Sequence, residues 1–120
     1  MKDVISAWLV RLPAEPGIQA CTVRSPDAEC YSRTFSERIT SDQVDAMWQP
    51  LFETLKAFNV RRLPVSRLAC KYERHAVQVC IRPDGWILGI LMSRELAEAR
   101  PACLQNWTGL FLSLSDAHAA

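Results

Sequence analysis

From Trp86 to Met92 the chain reads Trp-Ile-Leu-Gly-Ile-Leu-Met, apolar throughout, with no alternation of polar and apolar residues. A strand of that kind is buried on both faces, so it belongs in the middle of a sheet with helices packed on each side. At seven residues it is far short of the roughly twenty that a membrane-spanning helix needs. Pro83-Asp84-Gly85 just before it is a hairpin turn, in which proline presets φ and glycine takes the positive φ.

The segments around this strand supply the covering layers. Val4, Ile5, Trp8, Leu9 and Leu12 share one face of a short helix over residues 2–12, which Pro13 and Pro16-Gly17 stop. Ile18 to Arg24 reads as a strand, 25–28 as a turn, and Glu29 to Arg33 as a short polar edge strand. Thr40 and Ser41 are N-cap residues, and Thr40 with Gln43 has the form of a capping box. Behind it Val44, Met47, Trp48, Leu51, Phe52, Leu55 and Phe58 repeat at three and four, a long helix that Pro50 kinks. Leu63 to Tyr72 alternates as a ten-residue strand, with Leu68 and Cys70 on one face and Arg67 and Lys71 on the other. His75 to Arg82 alternates again, with Val77, Val79 and Ile81 opposite Gln78, Cys80 and Arg82. Leu96 to Leu114 forms a last amphipathic helix, which Pro101 kinks or restarts, and Trp48 and Trp107 fall on core stripes.

The element order is therefore α-β-β-α-β-β-β-α, in one domain over 1–120 with an ordered core of about 2–114. A helix of eighteen residues is about 27 Å long. Five strands span roughly 19 Å, so this helix can cross the whole sheet to its far edge. The other two helices then cover the opposite face.

Chemistry is sparse. Four glycines, with no GxGxxG and no P-loop, leave no backbone for a phosphate cradle, and no Gly-x-Ser-x-Gly elbow occurs. Five cysteines without a CxxC pair, and histidines only at His75 and His118, give no metal-ligand pattern. The cysteines read as reduced thiols of a cytoplasmic protein, since the first twelve residues lack a secretory apolar region. Neither a catalytic residue, nor a cofactor, nor a metal is expected. The net charge of +1 argues against a general nucleic-acid binder or membrane insertion, yet 61–82 carries +5 against −4 elsewhere. Arg61, Arg62 and Arg74 of that stretch are candidate partner-binding residues. Arg61-Arg62 could reach a nucleotide phosphate on a partner, or could simply cap the C-terminal end of the long helix.

Glu15-Pro16-Gly17-Ile18-Gln19-Ala20 at the start of the first strand, the long helix after the first hairpin, and Pro83-Asp84-Gly85-Trp86-Ile87-Leu88 before an apolar last strand carry a resemblance. On these features the chain resembles the Roadblock / dynein light-chain family over 2–114. It departs from the family at Pro50 and Pro101, and at 26–29, where the first turn usually carries Asp-Gly. The resemblance implies an α+β sandwich of profilin-like architecture: a five-stranded antiparallel sheet in the order 2-1-5-4-3, one long helix on one face and two on the other. It implies a non-enzymatic regulatory or scaffold module that binds a small Ras-like GTPase or related NTPase. It also implies a homodimer paired through strand three and the long helix. Met47, Leu51, Phe58, Leu63, Val65, Arg67 and Ala69 are the candidate interface, from the wide apolar stripe beside a long unpaired edge. Two other readings stand beside it: a small-molecule sensor of profilin-like or PAS/GAF-like type, and a secretion-chaperone-like dimer.

Overall fold

In the computed structural model, which describes residues 2–36, 39–60, 67–99 and 102–115, the apolar run lies at the centre of the sheet. The strands are β1 (Ile18–Arg24), β2 (Cys30–Thr34), β3 (Arg67–Lys71), β4 (His75–Ile81) and β5 (Ile87–Ser93), in the order β2-β1-β5-β4-β3 and antiparallel throughout. Helix α2 (Ser41–Val60) covers one face, and α1 (Lys2–Arg11) and α4 (Ala102–Ser113) cover the other. The expected sheet order and layering are those found.

Strand β5 divides its side chains between two cores. Leu88, Ile90 and Met92 pack with Ile5, Trp8 and Leu9 of α1 and with Leu104, Trp107 and Phe111 of α4. Ile87 and Leu91 pack with Val44, Trp48, Leu51, Phe52 and Leu55 of α2. Gly89 lies between them on the α2 face, where the Trp48 indole crosses the sheet: a Cβ built on Gly89 would stand 2.5 Å from Trp48 Cη2.

Helix α2 starts as its residues dictate. The Thr40 N–H donates to Gln43 Oε1 at 3.0 Å, and the Gln43 N–H donates to Thr40 Oγ1 at 3.2 Å, a reciprocal cap. The helix runs as one element through Pro50, which is exposed. A relay fastens it to the sheet: Ser32 Oγ of β2 donates to Asp45 Oδ1 of α2 at 2.9 Å. With its single hydrogen so engaged, Ser32 accepts from the buried Thr22 hydroxyl of β1, also at 2.9 Å.

Of the two readings at Pro101, a kink or a restart, the restart is the one found: α3 (Arg94–Ala99), with no buried residue, is separate from α4. Proline cannot donate the bond that would continue the first helix into the second. Arg82, one of the cations of the basic stretch, is buried, as is Cys80 beside it, because α1 and α4 cover the second face of β4. Arg82 has an anchorage that alternation cannot reveal. Its guanidinium holds Asp84 through two bonds (3.1 and 2.8 Å), donates to the Phe111 carbonyl of α4 at 2.7 Å and lies over the Phe111 ring.

Arg33 plays the equivalent part for α1. One of its nitrogens, Nη1, donates to the carbonyls of Leu9 (2.9 Å), Val10 (2.8 Å) and Leu12, and the guanidinium stacks on Phe35. Leu9 and Val10 belong to the last turn of α1, whose carbonyls find no donor four residues on within the helix. The Leu9 carbonyl also accepts the Leu12 N–H at 3.4 Å. The first hairpin turn closes through the Ala28 N–H to the Ser25 carbonyl at 3.0 Å, with Ala28 itself at φ +68°. An alanine there occupies the left-handed region that Asp-Gly turns reserve for glycine.

Candidate functional site

The strand order leaves β3 at one edge, bonded to β4 alone among the described residues. The register is Arg67 with Cys80, Ala69 with Gln78 and Lys71 with Ala76, and the hairpin closes with the Tyr72 N–H on the His75 carbonyl at 2.8 Å. Bonded and non-bonded pairs alternate along an antiparallel ladder. With Tyr72 and His75 a bonded pair, Cys70 and Leu68 are the residues whose backbone groups face β4. The N–H and C=O groups of Arg67, Ala69 and Lys71 therefore point out from the edge.

The side chains of β3 divide the same way. Leu68 and Cys70 are half-buried against the α2 core, while Arg67, Ala69 and Lys71 are exposed on the α3/α4 side. There they form one wall of a groove of about 440 Å³, whose floor includes Ala76 and Gln78 of β4 and whose far wall is Ala97, Glu98, Leu104 and Gln105. Glu98 is engaged by Arg94 at 3.1 Å.

The candidate interface residues separate on this geometry. Arg67 and Ala69 lie on the open edge. Leu51 is 7% exposed and packs under α2 in the subunit's own core, so it offers no surface to a partner. Met47 is half-buried against the same core, and Phe58 belongs to α2 with its side chain outside the described residues. Among the described side chains the outward face of α2 is polar or small: Ala46, Gln49, Glu53 and Ala57 are exposed. The wide stripe read from the sequence is thus mostly the seat of α2 on the sheet. Leu63 and Val65 lie outside the described residues, as do Arg61 and Arg62, and β3 within them is Arg67–Lys71 rather than ten residues. Arg74 is exposed in the β3–β4 turn, where its carbonyl accepts the Arg94 N–H at 3.1 Å. Arg82, in the same basic stretch, is removed from the surface by Asp84 and Phe111.

None of Cys21, Cys30 and Cys80 is an activated thiol. Burial pushes the Cys21 thiol far up, against the pull of Arg33, and also raises Cys80, against Arg67 and Arg82. Cys30 is raised by burial and then by the Asp45 carboxylate, against Arg24. A raised thiol is a poor nucleophile because its thiolate is scarce. Among the described residues no group of three His, Cys, Asp or Glu side chains could hold a metal, and no helix is long and apolar enough to cross a membrane.

A Roadblock/LC7 domain from Streptomyces avermitilis has a similar structure, with a TM-score of 0.50, 16% sequence identity and coverage of 79% of each chain. The chain has a roadblock-like fold. MglC from Myxococcus xanthus matches at a TM-score of 0.39 and 14% identity, over 65% of this chain and 69% of that one. No protein-family model and no curated protein matches the sequence. The sheet has two edge strands, β2 beside β1 and β3 beside β4; among the described residues β3 leaves the Arg67, Ala69 and Lys71 backbone groups to pair, next to the groove.

Proposed function

We propose that this roadblock-like domain is a non-enzymatic regulatory or scaffold module of the cytoplasm. It self-associates through β3 with α2 alongside, and it binds a small Ras-like GTPase or related NTPase. The outward row of Arg67, Ala69 and Lys71 backbone groups supports this reading most. An edge with unpaired donors and acceptors, neither bulged nor bearing proline within Arg67–Lys71, is a template for another strand. Antiparallel self-pairing satisfies it symmetrically. The partner class is carried over from the family resemblance and the likeness of fold. Arg61, Arg62 and Arg74 are the cations proposed to steer that partner.

The chain should sediment as a dimer at tens of micromolar. Ala69→Pro should turn it into a monomer with an unchanged circular dichroism spectrum. Proline there removes a donor that faces outward, without costing a β3–β4 bond. A monomeric wild type, or a dimer indifferent to the proline, would overturn the assembly. For the partner, capture from native lysate should return a GTP-binding protein, and replacing Arg61 and Arg62 by Glu should slow its association at low salt.

The sensor reading has one observation of its own. Gln19 Oε1 is buried with no hydrogen-bond partner among the described residues, and Gln19 lines a hollow of about 300 Å³ with Ile39, Val44, Met47, Tyr72 and Leu91. A small molecule co-purifying with the protein would favour it.

A further inference from the structure

Self-pairing of β3 has an electrostatic consequence. The register that uses all five residues of Arg67–Lys71 is centred on Ala69, and it sets Arg67 directly across from Lys71 of the second copy, twice over. Facing residues in a bonded antiparallel pair lie about 5.5 Å apart at Cα, and like charges so placed destabilise the pair. Both side chains are exposed on the α3/α4 side, and neither has a carboxylate partner within the described chain. Glu98, the acidic residue of the groove wall, already holds Arg94.

We infer that where two β3 edges meet, the four cations and the two flanking grooves form a binding site for an extended acidic segment of a protein partner. The inference rests on the self-pairing proposed above, since each copy supplies half of the site. Arg67 and Lys71 on one strand are about 13 Å apart at 3.3 Å per residue. A small anion can sit between one facing Arg67–Lys71 pair, but the two such pairs lie about 13 Å apart, so only successive carboxylates of an extended chain neutralise both at once. The groove suits a peptide. Ala69, Ala97 and Leu104 give its two walls apolar surface for the stem atoms, and Gln78 of the floor and Gln105 of the far wall offer amides to its backbone. The segment removes the repulsion that opposes the dimer, so it acts as a glue whose binding is linked to assembly.

Sedimentation equilibrium of the full chain at constant ionic strength, with hexaglutamate as the probe, tests this. Hexaglutamate should lower the dimer dissociation constant several-fold, and inorganic phosphate at the same ionic strength should do so by clearly less. The double variant Arg67→Gln/Lys71→Gln should dimerise about three- to tenfold more tightly than wild type without any peptide, and should lose the response to it. Lys71→Gln alone should move both quantities in the same direction by less. A dimer unaffected by hexaglutamate, an equal response to phosphate, or a double variant that dimerises no more tightly would overturn the site while leaving self-pairing intact. A monomer under every condition would overturn both.

Discussion

Gly89→Ala should be among the most damaging methyl additions this chain can receive, costing about 3 kcal/mol or more in denaturant unfolding. The new Cβ would fall 2.5–2.7 Å from Cη2, Cζ2 and Cζ3 of Trp48. That ring cannot step aside: Trp48 is fully buried, stacked on Phe52, and held among Val44, Leu51 and Leu55. Relief must come from moving α2 off the sheet. Trp48→Leu removes all three offending atoms, at a cost bounded by the roughly 3–5 kcal/mol typical of a buried tryptophan cut to alanine. In that background Gly89→Ala should cost less than about 1 kcal/mol, because the methyl enters vacated space. The two changes should therefore couple strongly, as contacting residues do. Additive losses would mean that the indole does not cross β5 at Gly89.

Leu88→Ala and Ile90→Ala should each lower stability by about 2–5 kcal/mol, through lost transfer energy and the cavity left behind. Each is 1% exposed and lies on the face covered by α1 and α4, in the strand that pairs with both β1 and β4. Chemical denaturation checks it. An unmoved midpoint for either change would place β5 at the periphery and make the sheet order wrong.

The layered fold was legible because β5 lacks alternation and because α2 keeps a three-and-four stripe from Val44 to Leu55. Thr40 and Gln43 announced their helix start by spacing alone. What stayed hidden depended on contacts between distant segments. Nothing local tells that Arg33 will turn to the end of α1, more than twenty residues earlier, or that Arg82 will reach the Phe111 carbonyl. An arginine in an alternating strand looks like a solvated one until a helix covers its face. The register of β1 slips at Gln19, so that Ile18 and Cys21 share a face, and no sequence signal marks that irregularity. The same ambiguity touched the candidate interface. Apolar periodicity marks a buried face without saying what buries it, and Leu51 proved to be covered by its own sheet. The resemblance implies a sheet order with strand three at the edge, and the order found places β3 there; alternation alone marks only a strand.

The central claim is that a second copy closes the β3 edge, and backbone amide exchange measured by NMR across a dilution series reads it residue by residue. The Leu68 and Cys70 N–H groups, bonded within the hairpin, should be protected at every concentration. Those of Arg67, Ala69 and Lys71 should exchange freely when dilute and become protected as concentration rises, with the same midpoint as dimerisation by sedimentation. Fast exchange of the three outward amides at all concentrations, or protection of them in the most dilute sample, would contradict the account.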